Sequence, residues 1–119
     1  MMLNRTDVAI IDDDLAVLDS LKFMLETIGY SVVAYQSAAE FLDDHRSLPA
    51  CLILDHHMPH LTGLDLADRL RSDGNGIPIL LITGALSANI AARAERLGIE
   101  VMEKPTDEGR LLRFVAQWS

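Results

Sequence analysis

Residues 51–63 read CLILDHHMPHLTG, in which a four-residue apolar run ends at an aspartate and a histidine-rich loop follows. An apolar run without polar alternation is typical of a central strand that is covered on both faces of a parallel sheet. Asp55 would then stand at the carboxyl end of that strand. Two interpretations are open: Asp55 is the working residue, or it forms a metal site together with His56, His57 and His60.

The same pattern continues on both sides, because short apolar runs alternate with amphipathic segments along the chain. This alternation is typical of βα units and of a parallel sheet. Strands are predicted at 7–11, 31–35, 51–54, 77–82 and 99–102. Helices are predicted from Asp14 to Gly29, from Ser37 through Leu42, through Leu64, Ala67 and Leu70, from Ser87 to Gly98, and along a last apolar stripe of Leu111, Leu112, Val115 and Trp118. We therefore predict an α/β domain of five βα units.

Composition narrows the classes of function. The 119 residues are 50% hydrophobic, so we expect residues 1–119 to form a single domain. A net charge of -8, from 10 basic and 18 acidic residues, argues against direct nucleic acid binding by this segment. Cys51 is the one cysteine, which excludes an internal disulfide and favours a reducing setting. Residues 1–14 lack a signal-peptide pattern and no apolar run is long enough to span a membrane, so we expect a cytoplasmic protein without membrane contact.

Polar side chains gather at the carboxyl ends of the predicted strands, where open parallel sheets bind ligands. The first strand is followed by three aspartates at 12–14, the third by Asp55, the fourth by Thr83 and the fifth by Glu103 and Lys104. In the strand order 2-1-3-4-5, the strands that carry carboxylates would be neighbours. We therefore expect these groups to meet at one edge of the sheet.

A cluster of carboxylates repels itself and needs protons or a cation. Magnesium suits it, since this ion prefers oxygen ligands and keeps several waters beside one or two carboxylates. One carboxylate could then receive a phosphoryl group while metal, hydroxyl and ammonium neutralise its oxygens. Asp55 is the best acceptor because it stands alone after a buried strand, whereas Asp12 and Asp13 are better placed to hold the metal.

Four motifs in this order resemble the receiver domain of response regulators over essentially the whole chain: IIDDD, LILDHHMP, LLITG and MEKP. The resemblance implies a flavodoxin-like (βα)5 fold, a doubly wound five-stranded parallel sheet in the order 2-1-3-4-5. It implies a two-component signalling domain and not an enzyme, apart from its own phosphotransfer and dephosphorylation. A sensor histidine kinase or phosphotransfer protein would phosphorylate Asp55, and the face of the fourth helix, fifth strand and fifth helix would switch. An output domain or partner protein would read that switch, and the family also includes homodimers.

The same resemblance assigns a metal site. Asp13 and Asp55 would bind Mg²⁺ through their side chains, His57 through its main-chain carbonyl, and Asp12 mostly through water. No other cofactor is implied. The side chain of His57, two positions after Asp55, would border the phosphoryl group and affect water access and the dephosphorylation rate.

Two further residues would act on the phosphoryl group. Thr83 would hydrogen-bond a phosphoryl oxygen and shift on modification, and Lys104 would pair with the same oxygens. Gly84 would leave room beside the group, and Pro105 resembles the family's proline, which often follows a cis bond. Val101 departs from the pattern, because an aromatic residue that moves with the threonine is usual three positions before the lysine. The coupling between Thr83 and the output face is therefore open.

Two other classes of function remain open at this point. The segment IIDDDLAV contains an Asp-x-Asp motif after a first strand, which fits a magnesium-dependent haloacid-dehalogenase-like phosphohydrolase that uses Asp12. Against this, the chain has no cap domain and no later acidic pair, and Asp55 would have no role. A receiver-like scaffold that binds partners without phosphorylation is the third class, which Val101 allows.

Overall fold

The computed structural model describes residues 7–44 and 48–119, so the first six residues of the N-terminal segment lie outside the described part. In that part, five strands alternate with five helices. The strands are β1 (Asp7–Ile11), β2 (Ser31–Tyr35), β3 (Cys51–Asp55), β4 (Ile79–Thr83) and β5 (Glu100–Glu103). The helices are α1 (Leu15–Ile28), α2 (Ala38–Asp43), α3 (Gly63–Ser72), α4 (Ala88–Leu97) and α5 (Glu108–Trp118).

All strand pairs are parallel, and the order across the sheet is β2-β1-β3-β4-β5. This confirms the predicted flavodoxin-like α/β fold. Every residue of β3 and β4 is buried. Side chains alternate between two apolar cores, one on each face of the sheet. One core holds Ala9, Ile11, Leu52 and Leu54 among others, and the second holds Val8, Ile10, Cys51 and Ile53.

The helix ends follow the predicted capping residues. Asp14, Ser37 and Ser87 are N-caps whose side-chain oxygens accept main-chain N–H groups of the first helical turn. Gly29 and Gly98 end α1 and α4 with positive φ angles of 121° and 67°, where a Cβ atom would be strained. The caps therefore fix the points at which the chain turns back toward the sheet.

The last three strands each end one residue later than predicted. Asp55 pairs with Ile82 and Thr83 pairs with Glu103, so these polar residues belong to the strands and not to the loops. Strand β4 also begins at Ile79 rather than at residue 77, because Pro78 has no N–H for the ladder. Strand β5 begins one residue late as well, because the N–H of residue 99 bonds a carbonyl at the end of α4.

The predicted apolar stripe of α5 was wrong at one position. Leu111 and Val115 are fully buried, and Leu112 is partly buried. Trp118, however, is 46% exposed in the last turn of α5. Phe114 is buried at 3% exposure and supplies the aromatic contact of the helix instead. Among the helices of the described residues, none combines the length and apolar character needed to cross a membrane.

Candidate functional site

Three carboxylates meet where β1 and β3 end. One oxygen from each of Asp12, Asp13 and Asp55 lies within 4.8 Å of the others. Strands β1 and β3 are direct neighbours in the sheet, which places the residues at their carboxyl ends side by side. Asp12 is 6% exposed and Asp55 4% exposed, whereas Asp13 is exposed. The structure thus brings together the three aspartates that the sequence had pointed to.

Asp12 is held by its neighbours in the chain and in the sheet. Its main-chain N–H donates to the carbonyl of Tyr35 at 3.1 Å, at the end of β2. Its Oδ1 accepts the N–H of Asp14 at 2.9 Å, and Asp14 in turn caps α1. The Asp12 carboxylate is therefore oriented by Asp14, the residue that caps the first helix.

Burial makes this cluster electrostatically costly. Loss of solvent raises the pKa of Asp12 to about 6, and the charge of Asp55 adds to the effect, while the N–H of Asp14 and the charge of Lys104 oppose it. Burial also raises the pKa of Asp55; Lys104 opposes this and Asp13 adds to it. A cation would relieve the repulsion between these carboxylates.

In a magnesium-free buffer, the free energy of unfolding is expected to decrease as the pH rises from about 4 to about 6. The folded state holds the Asp12 proton more tightly, with a pKa of about 6 against an ordinary value of 3.8. This difference corresponds to at most about 3 kcal/mol. Denaturant titrations of the wild type and of Asp12→Asn at several pH values measure it. The variant should show a smaller decrease, and equal pH dependence of the two proteins would contradict the prediction.

Thr83 is the last residue of β4, and Lys104 directly follows β5. Lys104 Nζ lies 3.4 Å from Asp55 Oδ1, and this oxygen accepts no hydrogen bond from the described residues. The N–H of Lys104 donates to the carbonyl of Thr83 at 2.8 Å, and the peptide bond to Pro105 is cis. Thr83 is 0% exposed, and its Oγ1 accepts the N–H of Ala85 at 3.2 Å. An ammonium and a hydroxyl thus border the acidic cluster.

The histidines do not form the alternative metal site. Within the described residues, the cluster of close potential ligands contains three aspartates and no histidine. Nδ1 of His56 accepts the N–H of Leu64 at 3.4 Å, and burial lowers the pKa of His56. Nε2 of His57 lies 3.3 Å from Thr83 Oγ1. His60 is exposed, with a positive φ of 71°.

Gly63 is a positioning residue that the sequence interpretation missed. It is the first residue of α3, and its N–H donates to the carbonyl of His56 at 3.0 Å. A Cβ atom at this position would lie 2.6 Å from the carbonyl oxygen of Asp55, 2.6 Å from Leu81 Cδ1 and 2.9 Å from His56 Cα. The loop after Asp55 therefore returns to the sheet at a distance that only glycine allows.

We expect Gly63→Ala to lower the free energy of unfolding by about 2–3 kcal/mol, because two of the three contacts are with backbone atoms that cannot rotate away. Gly76→Ala is the matched control, since a Cβ there would meet no atom within 4 Å. Denaturant titration of both variants measures the difference. Similar stabilities of the two variants would show that the loop can shift to accept the methyl group.

Comparisons with known proteins agree with this arrangement. A family model described as the response regulator receiver domain matches residues 8–116. The transcriptional regulatory protein FixJ of Bradyrhizobium diazoefficiens is 34% identical over 116 residues, which are 96% of this chain and 57% of FixJ. The response regulator protein TodT of Pseudomonas putida is 42% identical over 105 residues, 87% of this chain and 46% of TodT. The chain spans about half the length of these curated relatives.

Solved structures give the same result. A response regulator receiver protein from Pseudomonas putida superposes with a TM-score of 0.88 at 25% identity, over 98% of this chain and 99% of that one. A CheY-like receiver domain protein from Methanospirillum hungatei superposes with a TM-score of 0.87 at 26% identity, over 95% of this chain and 92% of that one. Both likenesses cover nearly the whole of this chain.

Proposed function

Because this chain belongs to the response regulator receiver domain family of two-component signalling, we propose that Asp55 is its phosphoacceptor. One observation carries this assignment. The Asp55 carboxylate is buried at the end of the central strand, with the Lys104 ammonium 3.4 Å away and the carboxylates of Asp12 and Asp13 beside it. Asp55 is the member of the cluster that contacts the positive charge directly.

In the proposed reaction, an Asp55 oxygen attacks the phosphorus of a phosphohistidine. The phosphorus–nitrogen bond breaks, the imidazole nitrogen keeps the electron pair and takes up a proton, and Asp55 becomes an acyl phosphate. Lys104 stabilises the negative charge on the phosphoryl oxygens, and Thr83 donates a hydrogen bond to one of them. Attack of water on the same phosphorus reverses the modification. The domain thus promotes only the phosphorylation and dephosphorylation of its own Asp55, as a signalling domain requires.

Receiver domains bind magnesium in an acidic pocket, and the residues present here fit that ion. Asp12, Asp13 and Asp55 offer oxygen ligands within 4.8 Å of one another, and burial raises the pKa of two of them. We propose that Asp13 and Asp55 bind the ion directly, that Asp12 acts mostly through water, and that the main-chain carbonyl of His57 completes the protein ligands. Bound magnesium supplies positive charge to the carboxylates and to the phosphoryl oxygens.

The phosphoacceptor role of Asp55 requires a phosphodonor and a partner that detects the modified state. Response regulators interact with histidine kinases and carry output domains, so we propose a histidine kinase or phosphotransfer protein as donor and an output domain or partner protein as reader. We propose that residues 1–119 act as one receiver unit, that phosphorylation switches its α4-β5-α5 face, and that the unit also forms a homodimer. The net charge of -8 supports a role without direct nucleic acid contact. The single free Cys51 supports a reducing, cytoplasmic setting.

Incubation with acetyl phosphate and magnesium tests the assignment. We expect the intact protein to gain the mass of one phosphoryl group, and peptide mapping after borohydride trapping to place the adduct on Asp55. Continuous hydrolysis of phosphate esters that depends on Asp12 would instead support the phosphohydrolase. A chain that takes up no phosphoryl group would support the scaffold that binds partners without phosphorylation.

A further inference from the structure

The hydroxyl of Thr83 has two close partners. Its Oγ1 accepts the main-chain N–H of Ala85 at 3.2 Å and lies 3.3 Å from Nε2 of His57. Thr83 is 0% exposed, and the proton of a buried hydroxyl requires an acceptor. An amide N–H cannot accept, and the geometry points to Nε2 of His57 as the acceptor among the described residues, a role that it has in one of its two neutral tautomers. The imidazole then carries its own proton on Nδ1.

We propose that His57 is a positioning residue that holds Thr83 in its unmodified orientation and competes with the phosphoryl group for the Thr83 proton. A hydroxyl has one proton, which it donates either to His57 or to a phosphoryl oxygen on Asp55. Phosphorylation therefore breaks the contact between Thr83 and His57. This inference rests on the proposed function, and it adds a residue that sets how readily the modified state forms.

The position of the His57 ring supports this competition. The ring lies edge-to-face on that of His56, with centroids 5.1 Å apart and an angle of 69° between the planes. His56 is fixed in turn by the N–H of Leu64, in the first turn of α3. The His57 ring thus packs on His56 on one side, and its Nε2 faces Thr83 at the end of β4. Loss of the Thr83 contact frees a ring that packs on His56, and His56 accepts the N–H of Leu64 in α3, so the switch has a route to that helix.

Two substitutions separate the hydrogen bond from the bulk of the ring. His57→Phe keeps an aromatic ring and removes the acceptor, whereas His57→Gln keeps an acceptor oxygen. Neither changes the main-chain carbonyl. In a titration with beryllofluoride and magnesium, followed by the Ala85 amide resonance, we expect His57→Phe to lower the Kd about fivefold, the value of one hydrogen bond of about 1 kcal/mol. His57→Gln should retain most of the competition and stay closer to the wild type.

The same change in a Thr83→Val background tests whether the effect passes through the hydroxyl. We expect His57→Phe to have no effect on beryllofluoride affinity when Thr83 is Val, because no proton remains to compete for. A fivefold effect of equal size in both backgrounds would mean that His57 acts through water access or packing, and would overturn the inference.

The unmodified chain gives an independent readout. The ¹⁵N shift of His57 Nε2 should be that of an unprotonated nitrogen, and the side-chain couplings of Thr83 should change in His57→Phe. A protonated Nε2 would overturn the competition. If the wild type binds beryllofluoride and His57→Phe binds it no more tightly, this inference is overturned and the proposed function is not. A wild type that binds none overturns the proposed function, and the inference with it.

Discussion

Asp55→Asn is expected to abolish phosphoryl uptake from acetyl phosphate. An amide oxygen is a far weaker nucleophile than a carboxylate, and the acyl phosphate that forms on an aspartate has no counterpart on an asparagine. The substitution also removes one of the three clustered carboxylates, so magnesium should bind more weakly as well. Intact-mass measurement over time should show no adduct in the variant under conditions that modify the wild type completely.

Asp14→Asn is the matched control for this result. It makes the same chemical change two residues beyond Asp12, at an exposed side chain that caps α1. Asparagine is an equally good N-cap, and the N–H of residue 14 still bonds Asp12 Oδ1. We expect this control to be modified at close to the wild-type rate. An adduct on Asp55→Asn that maps to Asp12 or Asp13 would contradict the assignment of the acceptor.

The fold was predictable because the pattern of each strand is local. Runs such as CLIL and ILLI are apolar at every position, which is typical of a strand covered on both faces. Ser or Asp before a helix and Gly after it mark the helix ends. The acidic cluster followed from the same pattern. Once the strands are parallel, residues at their carboxyl ends share one edge, and Asp12 and Asp55 must be near each other.

What the sequence could not predict depends on distances between segments. The need for glycine at position 63 arises from a carbonyl of Asp55 and a side chain of β4, neither of which is a sequence neighbour. The contact between His57 and Thr83 joins residues 26 positions apart. Phe114 is buried in the core and Trp118 is not, and this difference depends on how α5 packs against the sheet. A helical period allows both residues, and only the packing chooses between them.

Lys104→Gln should slow phosphorylation by acetyl phosphate about a hundredfold, without preventing it. The ammonium lies 3.4 Å from Asp55 Oδ1, and a fixed positive charge beside developing negative charge contributes in this range when it is removed. Asp55, with its buried carboxylate, keeps its nucleophilic oxygen, so the adduct should still form at long times. The rate constant from a time course of intact mass measures the effect.

Lys22→Gln is the matched control, because it removes one positive charge from α1 and gives the same net charge as Lys104→Gln. A general electrostatic effect on the anionic phosphodonor would slow the phosphorylation of both variants equally. Of these two lysines, Lys104 is the one that contacts Asp55, so its loss and not that of Lys22 should produce the large decrease. The Lys104 side chain is 41% exposed and that of Asp55 is 3% exposed, so the unfolding curve of Lys104→Gln is recorded at the same pH to check that the variant is folded. A slow but fully folded variant would place the action of Lys104 in the transfer step, whereas equal rates for the two variants would remove Lys104 from the site.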